Sequence, residues 1–444
     1  LLVCRQWNEV ACSTPGLWSQ IVVSNTHSIE KARRKLIRSK SVPLDITITF
    51  SPRLNGSSAG EPVMRAVEML RPSIPRWRTF RLRVPNRVHA HTALKLCTKD
   101  KAPLLEGLSI QISNAMQDDA YTSPPVSLFK GHTPRLISCS LTSFNFEWDR
   151  NLASGLRVLR LGGYWNGYAP TGRQLRDIIK GCPMLEELNL RNMSDLDPEC
   201  DDLVLSTTHK PQSLIHLPRL HTLSFYYSGI IRTTLLLSGI SFPSVRRIEF
   251  AYLDDITPAF KAIKRQCFSL VTDSNHPLGL PLDTLRIEGC FFNELKFMRL
   301  LRRVPTLTTL ELIEVEDVSS NLLKGLSTPP QAQQWIVPQM ESLSLEGCTS
   351  TSLDWDALST LVESRIPSRS MTRQQNARSY ASVSAMNEEH GNNRIGAPGD
   401  YGPPKRLRML DLTKCTQINR EQLEWLRMYV QEVRSESSRS VWVE

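Results

Sequence analysis

The residues of this 444-residue chain that could do chemistry are dispersed rather than set in a catalytic order. The nearest to a metal set is His89, His91 and Cys97. Protein-held zinc ordinarily needs three or four such donors, and no second pair stands at zinc spacing. These three therefore read as ordinary surface and core side chains. The carboxylate pairs Asp118-Asp119, Glu186-Glu187 and Asp254-Asp255 are adjacent in sequence rather than convergent, which suits loops and helix caps better than acid–base work. Gly162-Gly163-Tyr164-Trp165-Asn166-Gly167 lacks dinucleotide-binding spacing and reads as a turn after a strand. There is no nucleophile elbow, phosphate-binding glycine loop or HExxH run. A non-catalytic protein with no cofactor and no metal is the expectation.

The ten cysteines contain no CxxC pair and no dense framework, a usage expected of reduced thiols in cytoplasm or nucleus. Three of them follow an apolar pair at one fixed offset: Leu285-x-Ile287-x-x-Cys290, Leu343-x-Leu345-x-x-Cys348 and Leu410-x-Leu412-x-x-Cys415. This offset belongs to a longer pattern, apolar-x-x-apolar-x-apolar. Its eleven copies begin at Trp77, Leu105, Leu136, Leu156, Leu185, Leu220, Val245, Leu282, Leu307, Met340 and Leu407. Most spacings are 20 to 37 residues, the span of one strand and its return, and the last is 67.

Strand alternation sends the fourth and sixth residues of each copy inward and the fifth toward solvent. Helices are expected between copies, one capped by Thr171 with Leu175, Ile178 and Ile179 on a face, and one capped by Asn293 with Leu295, Met298 and Leu301. Two more are expected over Asp354 to Glu363 and Asn419 to Val430. One such unit cannot bury its own apolar face, so copies must stack into an α/β solenoid, with a curved parallel sheet inside and helices outside. Residues 365–404, rich in Ser, Asn, Arg, Gly and Pro, read as a disordered insertion that accounts for the long gap. Loops are expected near Ser51 to Pro62, Ser113 to Pro125 and Met193 to Gln212.

The outward residues of the strands form the candidate binding surface. The fifth positions run Arg81, Ser109, Ser140, Arg160, Asn189, Ser224, Glu249, Arg286, Glu311, Ser344 and Asp411, basic early and acidic late, flanked by Arg191 and Glu346. Such a gradient suits a protein partner of opposite polarity and acts on encounter and orientation. Aromatic residues near the strand exits should supply affinity, with Trp165 and Tyr226 as contacts and one of Phe291 and Phe292 buried.

Net charge is +10, and residues 1–100 hold 17 Lys+Arg against 6 Asp+Glu. The densest basic cluster, Lys31, Arg33, Arg34, Lys35, Arg38 and Lys40, reads as a solvated helix face in preference to a nucleic-acid site. No apolar run of about 18 residues suggests a membrane span, and the opening residues have no signal-peptide pattern. Without an initiator Met, the chain reads as a fragment.

Residues 1–24 combine Leu2 and Val3-Cys4-Arg5-Gln6-Trp7 with Val10, a Pro15 break and Leu17-Trp18. This resembles the second half of an F-box, lacking its Leu-Pro opening. Residues 25–74 resemble the helix-then-strand linker of fungal F-box proteins with leucine-rich repeats. Residues 75–434 resemble the cysteine-containing class of such repeats, with irregular spacing, and 435–444 form a tail. The resemblance implies a substrate-recognition subunit of a Skp-cullin-F-box ubiquitin ligase. Leu2, Val3, Cys4, Trp7, Val10, Leu17 and Trp18 would then pack the F-box or meet a Skp-type adaptor, with a target protein on the repeat sheet. The alternatives are a repeat scaffold without ligase function and, behind it, a nucleic-acid-binding protein acting through the basic amino-terminal quarter.

Overall fold

The computed structural model describes residues 4–50, 60–113, 125–146, 149–164, 169–193, 214–269, 279–316, 318–327, 335–348, 354–366, 404–415 and 417–435. Leu2, Val3 and Trp165, residues 367–403 of the expected insertion, and most of the expected loops and tail lie outside them. The chain forms two compact units, residues 1–241 and 242–444.

The first unit is built on parallel strands β1 (Gln20–Val23), β2 (Leu44–Thr49), β3 (Trp77–Val84), β4 (Gly107–Ile112), β5 (Ser138–Thr142), β6 (Val158–Tyr164) and β7 (Glu187–Met193). A short β8 (Ile215–His216) precedes β9 (Thr222–Tyr226), which pairs with β7. β8 itself pairs with β10 (Ile240–Ser241). The second unit aligns β11 (Arg247–Ala251), β12 (Thr284–Glu288), β13 (Thr309–Ile313), β14 (Ser342–Ser344), β15 (Met409–Asp411) and β16 (Glu432–Arg434), again all parallel.

All eleven copies of the apolar pattern bury their first, fourth and sixth residues, none more than 3% exposed. Register aligns the fourth positions into rungs, Phe80, Leu108, Cys139, Leu159, Leu188 and Leu223 in one unit, Ile248, Leu285, Leu310, Leu343 and Leu410 in the other. Each fully buried Leu or Ile contributes about 1.5–3 kcal/mol, so the sheet's inner side is the main source of stability. Helices cover it where expected. Thr171 and Gln174 make a capping box on Gly172–Lys180, Asn419 and Gln422 one on Arg420–Tyr429, and Asn293 and Asp354 cap Glu294–Leu301 and Trp355–Ser364. Each such cap is worth about 1 kcal/mol.

Four expectations need correction. The sheet starts earlier than the repeats: β1 falls inside the segment expected to be all-helical, and Ile21 and Val23 extend the rungs through Ile46 and Ile48 to Phe80 and Leu82. A helix, Gly60–Leu70, begins inside the expected loop 51–62 because Val63, Ala66, Val67 and Leu70 supply a buried stripe. In Glu294–Leu301 the buried stripe is Phe297, Leu300 and Leu301, while Leu295 is exposed. Arg365 belongs to the packed structure rather than the insertion, since it is 1% exposed and its guanidinium donates to four backbone carbonyls.

A further periodicity sits two residues beyond the sixth position. Nine consecutive copies have a left-handed residue there: Ser143, Gly163, Asn192, Tyr227, Tyr252, Gly289, Glu314, Gly347 and Lys414, with φ between 45° and 70°. One left-handed residue turns the chain off the sheet toward its helix. Only glycine takes that conformation freely, and Asn tolerates it.

Candidate functional site

The side chains that point away from the core form an open face on each unit. In the first unit the register lays out two rows. Thr47, Arg81, Ser109, Ser140, Arg160, Asn189 and Ser224 make one, and Thr49, Arg83, Gln111, Thr142, Gly162, Arg191 and Tyr226 the other. It is a hydroxyl-rich surface carrying four arginines. Arg160 is not free for a partner in the sense the sequence implies, because its guanidinium grips Glu187 on the next strand in a bidentate pair of 2.7 and 2.9 Å. Arg81 and Arg83 are exposed and form no salt bridge among the described residues. Arg191 has its guanidinium 5.9 Å from the Tyr226 ring centre, a cation–π approach. Asp45 binds Arg78 and accepts from the Thr79 hydroxyl at 2.9 Å, and the Arg78 hydrogen bond holds its carboxyl below the usual range.

The second unit's open face is acidic and mostly self-paired. Arg286 bonds Glu288 at 2.6 Å and Glu311 at 2.9 Å, Arg247 bonds Glu249, and Lys414 bridges Glu346 at 3.1 Å and Glu314 at 3.2 Å. The early-basic, late-acidic order of the fifth positions therefore stands in sequence, but Arg160, Glu249, Arg286, Glu311 and Glu346 spend their charge on neighbours. Exposed pairs of this kind are worth at most about 1 kcal/mol each and serve mainly to orient side chains. Asp411 is half-buried and caps the backbone N–H of Thr413.

Asn189, Ser224 and Ser344 depart from the expected solvent exposure, each being less than 10% exposed. Short side chains are overshadowed by longer ones across the sheet: Asn189 faces Arg160, and Ser344 lies between Glu311 and Asp411. Among the exit aromatics, Tyr164 is core, its hydroxyl donating to the Phe144 carbonyl at 3.1 Å. Tyr226 is half-buried and stacks edge-on against the exposed Tyr227 at 5.0 Å. Phe291 is exposed and Phe292 buried against Phe260 and Phe297, as expected of that pair.

The repeat cysteines tie successive copies together. The Cys348 thiol donates to the Leu312 carbonyl of the preceding copy at 3.4 Å, and Cys415 to that of Leu345 at 3.1 Å. Burial pushes the Cys348 thiol up to about 12 and Cys290 to about 11, so both stay protonated and inert. His91 is likewise a core residue, its Nδ1 against the Arg87 carbonyl at 2.9 Å and its Nε2 accepting from the Asn145 N–H at 3.3 Å. Among the described residues, no group of three His, Cys, Asp or Glu could hold a metal, and no helix is long and apolar enough to cross a membrane.

At the amino terminus, Cys4 caps the helix Arg5–Ser13 by accepting from the Trp7 N–H. Of that helix only Ala11 is buried; Trp7, Val10 and Leu17 are 66%, 53% and 62% exposed. Among the described residues Trp7 does not pack into a small core. Trp18 anchors the helix, with its indole N–H on the Ala11 carbonyl at 2.7 Å and the Arg38 guanidinium 4.6 Å over its ring. The basic cluster on helix Thr26–Arg38 is partly spent in the same way, since Lys35 donates to the Gln20 carbonyl at 3.0 Å.

No protein-family model matches the chain, and no curated protein matches it.

Proposed function

We propose that this chain is a non-catalytic substrate-recognition subunit of a Skp-cullin-F-box ubiquitin ligase, with leucine-rich repeats that hold a target protein on their open sheet. What carries the reading is the pairing of two unlike surfaces. The strands of each unit offer an open polar face, with the apolar residues of the repeat pattern buried beneath it. The amino-terminal helix leaves Trp7, Val10 and Leu17 bare in the segment that resembles an F-box. Large apolar side chains grouped at a surface mark a site of association. Such a subunit contributes placement, bringing the target near the transferring enzyme and raising its effective concentration.

The purified chain mixed with a Skp-type adaptor should form a complex by size-exclusion chromatography and calorimetry, and Trp7→Asp with Leu17→Asp should abolish it. Failure to form a complex, both for this chain and for the full-length gene product isolated from its cells, overturns the ligase reading. One observation favours the alternative of a plain repeat scaffold. β1 pairs directly with β2, so the amino-terminal segment also serves as an edge cap for the sheet.

A further inference from the structure

The outward rows of β1 to β7 and β9 carry four arginines, Arg81, Arg83, Arg160 and Arg191, and two carboxylates, Asp45 and Glu187. Both carboxylates are taken. Asp45 is held by Arg78 and the Thr79 hydroxyl, with the charge of Arg81 near enough to act on it, and Glu187 is held by Arg160. Arg81, Arg83 and Arg191 are exposed and enter no salt bridge among the described residues.

Register sets Arg81 between Thr47 and Ser109, and Arg83 between Thr49 and Gln111. Neighbouring strands run about 4.8 Å apart and alternate residues of one strand about 6.6 Å, so the two guanidinium groups share a patch ringed by hydroxyls and an amide, all able to donate. Neither arginine has a carboxylate as its neighbour in these rows. Arg191 lies in the row of Arg83, four strands on, past Gln111, Thr142 and Gly162. Four steps make roughly 19 Å, which about six residues of extended chain span. Gly162 puts no side chain into that path, and a Cβ there would stand 3.1 Å from the Arg191 carbonyl oxygen. The Arg160–Glu187 pair belongs to the two rows alongside.

We infer, resting on the reading of the open sheet as the target surface, that this row receives an extended acidic segment of polypeptide laid across the strands from β3 to β7. Its carboxylates meet Arg81 and Arg83 at one end and Arg191 at the other. A guanidinium grips a carboxylate in a two-pronged pair, as Arg160 already does on Glu187. Arg191 approaches the Tyr226 ring, a contact that steadies its guanidinium without neutralising it. A single nucleic-acid strand calls for aromatic rings along its path, and Gln111, Thr142 and Gly162 supply none.

Fluorescein-labelled decaglutamate titrated into the full chain at low ionic strength, where exposed charges are least screened, should bind and raise its anisotropy. Triglutamate reaches only the β3 end, so the longer peptide should bind at least about fivefold tighter, its second end acting through effective concentration. Arg81→Gln with Arg83→Gln should weaken decaglutamate by about tenfold, within what two exposed ion pairs contribute. Arg191→Gln should weaken decaglutamate by about threefold and leave triglutamate unchanged. Lys31→Gln with Lys40→Gln removes the same charge from the helix side of the unit and should leave affinity within about twofold. Circular-dichroism melts verify that every variant folds. Equal affinity of the two peptides, equal losses in the Arg81/Arg83 and Lys31/Lys40 variants, an Arg191 effect shared by triglutamate, tighter binding of a ten-nucleotide oligothymidylate, or no binding at all each overturns the inference. Adaptor binding through Trp7 and Leu17 is a separate measurement, so a chain that binds the adaptor and ignores decaglutamate loses only the acidic segment.

Discussion

The ring of Tyr252 occupies the space that a side chain on Gly289 would need, since a Cβ built on Gly289 would meet Tyr252 Cδ1 at 2.7 Å. Both residues hold the left-handed position of their repeats, with φ of 52° and 54°, in consecutive copies. The glycine of one copy thus makes room for the tyrosine of the copy before it, whose hydroxyl donates to Glu288 at 2.9 Å.

Gly289→Ala is accordingly expected to lose stability twice, through the left-handed backbone and through collision with the ring. The combined cost should be about 2–3 kcal/mol in urea unfolding, of which about 1–2 kcal/mol is backbone. In a Tyr252→Ala background only the backbone share should remain, so a double-mutant cycle separates the two. Equal costs in both backgrounds would show that the ring is no obstacle.

The buried thiols set an alkaline limit. Burial raises Cys97, Cys139 and Cys348 to about 12 against an ordinary value of 9.0. Above pH 9 the unfolded chain releases these protons while the folded chain keeps them, so the folded state holds more protons and stability falls as pH rises. The thiol contribution is complete below pH 9 and is lost between pH 9 and about 12. Urea midpoints measured across that range should decline less steeply in Cys139→Ala than in the parent chain. Iodoacetamide at pH 8.5 should label exposed Cys4 and leave Cys97, Cys139, Cys290 and Cys348 unmodified in the folded protein.

The core was legible in the sequence because a strand's period of two and a fixed apolar offset act locally: each of Leu185, Leu188 and Leu190 declares itself within six residues. β1 was not legible, because Gln20–Val23 is four residues long and acquires its sheet only from β2, more than twenty residues on. The left-handed position was half legible. Gly163, Gly289, Gly347 and Asn192 are the residue types that conformation favours, but Tyr227, Tyr252, Glu314 and Lys414 interleave with them and hide the period. The open face was the least legible. Whether Arg160 or Arg286 points at a partner depends on Glu187 and Glu311, which are 27 and 25 residues away and come alongside only through register. Arg81 and Arg83 look the same as Arg160 in sequence and differ only in what folding brings beside them.

Asp45 marks the acid limit of the first unit. Its carboxyl is held below its ordinary value of 3.8, chiefly by the Arg78 hydrogen bond, against an opposing effect of burial. A depressed carboxylate contributes stability above its unfolded value and loses it as pH falls through the folded one, so this contribution is present at pH 5 and fades below about 4. Asp45→Asn should cost no more than about 1 kcal/mol at pH 7, because the pair is partly exposed. Between pH 5 and 3 it should lose less stability than the parent. An identical acid limb in the two proteins would assign acid sensitivity elsewhere.

Arg365 closes the second unit by a different balance. Its guanidinium is buried, meets no carboxylate among the described residues and donates to the carbonyls of Leu326 and Ile336 at 3.2 Å and of Val337 and Met340 at 3.4 Å. Burial lowers it to about 10, which still leaves it charged at neutral pH. A charge held in the interior by neutral acceptors is costly, yet removing it strands several carbonyls at about 1–3 kcal/mol each before any relaxation. Arg365→Met should therefore destabilise by about 2–4 kcal/mol, even though it preserves apolar bulk. Arg365→Lys should fare little better, because one ammonium cannot reach acceptors spread across a planar fork. A methionine variant as stable as the parent would show that the carbonyls find other donors and that the arginine is merely accommodated.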